Sequence, residues 1–368
     1  MKPLMLIGEA WGENEARIST PFCGHSGLEL LRMLQDAGQL TLTSIDRQYI
    51  SDFYSRGDPN SVASIWALHR DEFYRTNVFN IHPPANRLEW FCGPKENRIP
   101  GYPPLLPSKY VQAGYQSELD RLGDEILACD PNLIVALGNT ALWALCGRTG
   151  VSKLRGTTTL TTHLVSGFKL MPTYHPAAVL RQWELRPTTC IDLAKAGREN
   201  AFPDVRRPAC EIWIEPTLED IRVFIRRYIY EACCNLLSVD IETAGTRITC
   251  IGFAVDAIRA IVIPFDDERR PDGNYWLTRE DELQAWYIIA NVLADSRIAK
   301  LFQNGLFDIA RLWKGYGIRV VNAQHDTMLL SHALQPESLK GLGYLGSIYT
   351  DFGPWKSNRK LETIGRDK

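Results

Sequence analysis

Four side chains in the first half of the chain stand in settings where chemistry is often placed. Glu9 follows a short apolar run within Gly8-Glu9-Ala10-Trp11-Gly12, and Phe22 lies in Pro21-Phe22-Cys23-Gly24. Asn77 sits in Thr76-Asn77-Val78-Phe79-Asn80, just ahead of Pro83-Pro84-Ala85-Asn86-Arg87. His175 lies in Thr173-Tyr174-His175-Pro176, a stretch that runs on to Arg181. A carboxylate, a flat aromatic face, a primary amide and an imidazole could together open a bond between a sugar and a planar base. The aromatic ring holds the base. The amide offers one donor and one acceptor to read a lactam edge. As the bond breaks, negative charge builds on a ring oxygen and positive charge on the sugar. A donor near the oxygen and a carboxylate near the sugar, with a positioned water, meet those charges. Taken singly, each residue has a commoner meaning: a turn, a core phenylalanine, a strand-end amide, a structural histidine.

Uracil in DNA is such a base once it has left its stack. In family order and at plausible spacing, the four stretches resemble the motifs of the uracil-DNA glycosylase superfamily, closest to its iron–sulfur-containing family 4 branch. The resemblance covers about residues 4–200. It implies that Glu9 activates water or stabilises the sugar cation and that His175 supports the leaving base. It also implies that Phe22 stacks uracil, Asn77 reads it, and Ala10 and Trp11 help to line its site. Arg87 and Arg181 are candidate DNA-phosphate partners. Two departures stand out. Trp11 replaces the family's proline. No cysteine precedes Gly8, and Ile81 stands where the family has a ligand cysteine, so no iron–sulfur cluster is expected. Packing, with help from the aromatic-rich insert at residues 90–107, would have to replace its contribution.

The second half carries a different set. Ser238-Val239-Asp240-Ile241-Glu242-Thr243 reads as a strand end, and strand alternation puts Asp240 and Glu242 on one face. Asp308 follows in Phe302-Gln303-Asn304-Gly305-Leu306-Phe307-Asp308. Three carboxylates of this kind suit Mg2+ or Mn2+ and metal-assisted phosphodiester cleavage. The pattern resembles the 3′–5′ proofreading exonuclease domain of family A DNA polymerases over about residues 217–350. Asp326 matches a structural Asp-Thr of that family and reads as a helix N-cap. The family's last Tyr-x-x-x-Asp motif is absent, since Tyr349 and Asp351 are wrongly spaced. The domain therefore reads as truncated before that motif, and weakly active or inactive as it stands.

The elements that must position these residues follow from periodicity. Residues 4–7, 77–81, 132–137 and 169–173 read as strands, and 27–37, 108–128 and 139–145 as helices. Strands alternating with helices imply a three-layer α/β/α domain, with ligands beyond the carboxyl ends of its strands. All four candidate residues fall at such ends. Pro203, Pro208 and Pro216 mark residues 206–216 as a linker between a glycosylase-like domain (1–205) and a ribonuclease H-like domain (217–368). In the second, Thr217–Ala232 reads as a helix with Thr217 and Asp220 as a capping box. Three strands follow, at 236–241, 247–254 and 260–264.

Composition bounds the rest. The chain has 368 residues, 45% hydrophobic and 23% charged, with a net charge of −2. Residues 1–205 hold 20 Lys and Arg against 21 Asp and Glu, and residues 206–368 hold 21 against 22. Neither half is basic, so any DNA contact must come from a local patch. The nine cysteines form no Cys-x-x-Cys pair, which argues against a disulfide framework or zinc site and reads mostly as buried thiols. No apolar run could span a bilayer and no signal peptide is legible, so a cytoplasmic protein with no membrane partner is expected. The expected partner is uracil-containing DNA, single-stranded or duplex. On analogy alone, the fusion suggests phage-type replication or repair, with a downstream polymerase domain or replication proteins as further partners. Two other readings stay open: a module that captures uracil without cutting, and a protein that is mainly a 3′–5′ exonuclease.

Overall fold

The computed structural model describes residues 2–352. The chain divides into two compact units, residues 2–207 with 346–352, and Pro208–Leu345. Among the described residues no helix is long and apolar enough to cross a membrane.

The first unit opens with β1 (Leu4–Ala10), α1 (Glu13–Ile18), α2 (His25–Asp36), α3 (Ser44–Arg56), α4 (Pro59–Leu68) and β2 (Phe73–Phe79). A short ribbon, β3 (Cys92–Gly93) and β4 (Tyr110–Val111), leads to α5 (Gln116–Cys129). Then come β5 (Ile134–Leu137), α6 (Asn139–Cys146), α7 (Val151–Leu154), β6 (Thr159–Leu160), β7 (Lys169–Thr173), α8 (Pro176–Arg181) and α9 (Arg186–Glu199). The sheet order is β2-β1-β5-β7-β6, parallel except at the β6 edge. β1 shows why the sheet sits between two helical layers. Leu4 and Leu6 join a core that includes residues of α2, α4 and α9. Met5 and Ile7, on the other face, join residues of α5 and α6. A continuous apolar run fits a strand buried on both sides. The aromatic insert does enter this core: Phe91 stacks on Phe79 at 4.1 Å, and Tyr115 meets Phe91 edge-on at 5.1 Å.

The second unit contains β8 (Glu211–Trp213), α10 (Leu218–Phe224), a π-helical turn (Ile225–Glu231), β9 (Leu236–Ala244), β10 (Arg247–Ala254) and β11 (Arg259–Pro264). α11 (Arg279–Ala294), β12 (Ala299–Phe302), α12 (Leu306–Tyr316), β13 (Ala323–Asp326) and α13 (Thr327–Leu334) follow. α14 (Leu342–Tyr349) comes last, and its residues from Gly346 onward group with the first unit. The sheet order is β13-β12-β9-β10-β11-β8, with an antiparallel β9-β10-β11 meander and parallel pairs at both edges.

Several elements differ from their sequence reading. The helix expected over 108–128 begins only at Gln116, because Ser108 adopts φ +57° and Tyr110–Val111 pairs with Cys92–Gly93. Residues 211–213, expected as linker, form edge strand β8 on β11. Trp213 anchors that strand by packing on Phe224 and Tyr228. The Thr217–Asp220 capping box forms as expected. Of the nine cysteines only Cys23 and Cys146 are fully buried, and all nine are free thiols. Residues 353–368 of the expected second domain lie outside the described residues.

Candidate active site at the carboxyl ends of the first sheet

The parallel register brings the candidate residues together. Gly8 on β1 lies beside Asn77 on β2, and Leu137 on β5 lies beside Thr173 on β7. A cleft of about 390 Å³ opens there, lined among others by Glu9, Ala10, Phe22, Asn77, His175 and Arg181. Gly8 is the point on which three of them converge. A Cβ on Gly8 would lie 2.2 Å from Asn77 Oδ1, 2.6 Å from Phe22 Cζ and 3.3 Å from His175 Nε2. No side chain fits at that point, because the amide, the ring and the imidazole close on it at the edge of the cleft.

Each side chain is held by its own support. Phe22 takes φ +56°, an outlier for a bulky residue. Its carbonyl accepts from the Trp66 indole N–H at 2.9 Å, and the preceding Pro21 carbonyl accepts from Arg75 Nε at 3.1 Å. Gly27 permits this close passage, since a Cβ there would lie 1.7 Å from the Phe22 carbonyl oxygen. Asn77 is 3% exposed. The Arg121 guanidinium donates to the carbonyls of Asn77, at 2.8 Å, and Val78, at 3.1 Å, and pairs with Glu118 and Glu125. That clamp leaves the Asn77 side-chain amide for the cleft.

His175 caps the N-terminus of α8, its Nδ1 accepting from the Ala177 N–H at 3.1 Å. A neutral ring with that bond carries its proton on Nε2, the nitrogen at the convergence point. Burial lowers the His175 pKa from its ordinary value, and Arg181 adds to the effect while Glu9 opposes it. The site therefore holds a neutral imidazole N–H donor. Its ring lies 6.1 Å from that of Phe22, inclined by 29°. Glu9 Oε2 accepts from the buried Thr140 hydroxyl at 2.6 Å. That bond fixes the carboxylate in the cleft and leaves its other oxygen for a water.

The remaining candidates separate. Ala10 and Arg181 line the cleft. Trp11 does not. Its backbone N–H donates to the Phe79 carbonyl at 3.2 Å as the chain leaves the sheet, and its indole nitrogen is buried without a partner. Arg87 is exposed and outside the lining, which its neighbour Asn86 joins instead. Ala85 and Asn86 are both left-handed, at φ +55° and +54°, so the turn before Arg87 stores strain beside the cleft.

Sequence reasoning missed Glu15. Its carboxylate accepts from the Gly12 N–H at 3.1 Å and from the Gly24 N–H at 3.3 Å, tying the Glu9 loop to the Phe22 loop. Thr140 and Arg121 were missed as well, and no local pattern announces either. Glu15, three residues after an uncapped Gly12, was the one with a legible signal.

In the second unit Asp240 and Glu242 share the exposed face of β9, while Leu237, Val239 and Ile241 point into the core. Asp308 opens α12, is buried, and accepts from the Ile241 N–H at 3.0 Å. Burial pushes its carboxyl up to about 6, with the like charges of Asp240 and Asp326 adding to the rise. Asp326 is an N-cap, accepting from the Met328 N–H at 2.8 Å and the Gly305 N–H at 2.8 Å. Asp351 pairs with Lys195 at 3.2 Å. The donor chemistry suits a divalent ion. Yet among the described residues no three His, Cys, Asp or Glu side chains gather closely enough to hold a metal.

Comparison with known proteins agrees with both folds. Residues 1–196 match the uracil DNA glycosylase superfamily profile, more than half of the chain. The chain belongs to that superfamily. Residues 222–360 match a 3′-5′ exonuclease profile, so the second half is a domain of that kind. Among curated relatives, a type-4 uracil-DNA glycosylase of Sulfurisphaera tokodaii is 28% identical over 197 residues, covering 52% of this chain and 67% of the relative. One from Thermotoga maritima is 26% identical over 197 residues, covering 52% and 75%. Among solved structures, Trypanosoma brucei RNase D complexed with RNA U12 is 16% identical at TM-score 0.32, covering 42% of this chain and 52% of that one. Brucella melitensis NrnC with bound Mg2+ is 18% identical at TM-score 0.26, covering 39% and 62%. The chain thus spans about three-fifths of the NrnC structure.

Proposed function

We propose that the first unit hydrolyses the N-glycosidic bond of deoxyuridine in DNA, releasing uracil and leaving an abasic site. The observation that carries this reading is the convergence of Asn77 Oδ1, Phe22 Cζ and His175 Nε2 on one point at Gly8. A flipped base enters the cleft and lies on Phe22. The Asn77 amide meets the O4 and N3–H edge with one donor and one acceptor. His175 Nε2–H donates to O2 as negative charge gathers there. Glu9 orients a water toward C1′, faces the positive charge on the sugar, and takes the water's proton as the C–O bond forms. Arg181, at the cleft, and Arg87, outside it, are positioned by this reading to meet backbone phosphates. No metal or cofactor takes part in these steps.

Substituting Glu9→Gln tests the assignment. Free uracil is measured by chromatography, and binding to a uracil-containing strand by fluorescence anisotropy. The substitution should abolish excision and leave binding within about twofold, because general base contributions run to roughly 10²–10⁴ in rate. Excision retained in E9Q would refute the role of Glu9. Binding without excision in the wild-type chain would favour a module that captures uracil.

For the second unit we propose weak or no nuclease action. Asp240, Glu242 and Asp308 are the carboxylates that would meet Mg2+ or Mn2+. No metal-dependent step is assigned to them. A base-excision domain joined to a proofreading-type domain suits phage-type DNA replication or repair in the cytoplasm, alongside a polymerase.

A further inference from the structure

Behind β7 lies a buried ionic group that the proposed reaction does not use. Arg155 and Asp192 are 2% and 1% exposed. Arg155 Nε donates to Asp192 Oδ2 at 2.7 Å, and its Nη2 bonds to Oδ1. The same Oδ2 accepts from the Thr173 hydroxyl at 2.6 Å. Thr173 is the last residue of β7, two positions before His175. On the far side, Arg155 Nη1 donates to the Ser347 hydroxyl at 2.9 Å, a residue 192 positions along the chain. Lys195, on the same helix as Asp192, donates to the Thr350 carbonyl at 2.7 Å and pairs with Asp351. Gly156 makes room for the contact. Its φ is +68°, and a Cβ there would lie 2.5 Å from Asp192 Oδ1 and 3.3 Å from the Ser347 carbonyl.

A buried ion pair is weak evidence of stabilisation, since apolar residues of equal volume often serve as well. Its distinctive property is fixed geometry, and a bidentate Arg–carboxylate pair is the most directional form. Here one carboxylate oxygen takes both Arg155 Nε and the Thr173 hydroxyl, so a shift of the guanidinium is passed to the end of β7. We propose that Ser347, Arg155 and Asp192 form a positioning relay that sets the His175 loop through Thr173. Residues 346–351 thereby support, from behind, a cleft whose lining comes from residues up to Arg181. These residues touch no substrate. They are positioning residues, and the activity arm of their test rests on the glycosylase reading above.

The test uses the full chain with Ser347→Ala, and Ser347→Thr as the conservative variant that keeps the hydroxyl. Two readouts are taken: steady-state excision, and the imidazole ¹⁵N resonances of His175 in ¹⁵N-histidine-labelled protein without DNA. Displacing a catalytic group by about 1 Å can cost about a hundredfold in rate. S347A should therefore lower kcat by about tenfold or more, leave KM within about twofold, and move the His175 resonances, whereas S347T restores both. Should the wild-type chain excise nothing, the resonances alone decide, which separates failure of this relay from failure of the glycosylase reading. A lowered melting temperature in S347A with unchanged kcat and unmoved His175 resonances would overturn the relay and leave Ser347 a structural contact.

Discussion

Gly8→Ala is the most informative small change in the molecule. Gly8 lies in β1 without a left-handed φ, so alanine meets no backbone penalty there. The added methyl would sit 2.2 Å from Asn77 Oδ1 and 2.6 Å from Phe22 Cζ, both far inside van der Waals contact. Either those side chains withdraw or β1 shifts, and each response displaces the groups that read and hold the base. Overpacking of this kind costs about 1–3 kcal/mol of stability, offset by the roughly 0.5–1 kcal/mol that alanine gains over glycine in a strand. Net destabilisation should stay below about 2.5 kcal/mol and the chain should fold. The effect on catalysis is larger. A displacement near 1 Å costs on the order of a hundredfold, or about 2.7 kcal/mol of transition-state stabilisation. Single-turnover excision of one uracil from an oligonucleotide measures this, with thermal unfolding as the control. A G8A chain within about threefold of wild type, under 1 kcal/mol, would refute the argument that the groups packed at Gly8 read and hold the base.

Other residues give independent outcomes. Glu15→Ala removes the acceptor shared by the Gly12 and Gly24 N–H groups. It should cost about 1–3 kcal/mol in denaturant unfolding and raise KM more than it lowers kcat, because the two loops part at the cleft mouth. His175 must be neutral to hold its proton on Nε2, and burial sets its pKa below the ordinary 6.5. Its protonation should leave kcat/KM level as pH falls from 8 to 6.5, with any histidine limb only below that. A histidine limb above 6.5, lost in H175N, would contradict the neutral donor. Asp308 is protonated in the folded chain up to about pH 6, against an ordinary value of 3.8. The folded state then holds the extra proton, so stability falls as pH rises between these values and stays lower above 6. Asp308→Asn should raise the melting temperature of the second unit at pH 7.5 and have little effect at pH 4, as read by calorimetry.

The parts legible in the sequence were those written locally. The run Leu4–Ile7 identified a strand buried on both faces, with Glu9 just beyond it and His175 just beyond a second strand, whereas Asn77 was read as opening a strand over 77–81 that in fact runs from Phe73 to Phe79. Alternation put Asp240 and Glu242 together on β9. What escaped notice was set by distant contacts. Arg121 reaches Asn77 across 44 residues and Thr140 reaches Glu9 across 131. The Arg155–Ser347 contact spans 192, and no periodicity encodes such pairs. Trp11 was named from the resemblance alone, as the residue that replaces the family's proline, and nothing local told where its indole would go. The chain leaves the sheet there, and the Trp11 N–H turns to Phe79. Residues 211–213 looked like linker because prolines flank them, yet pairing with β11 and the packing of Trp213 outweigh that local signal.

The central claim is metal-independent uracil excision by the first unit. A labelled single-stranded oligonucleotide with one uracil, incubated with the chain and EDTA and then treated with alkali, tests it directly. The account predicts a cut at the uracil and none in the thymine control. An intact strand would contradict it, whether or not the chain prefers uracil in binding.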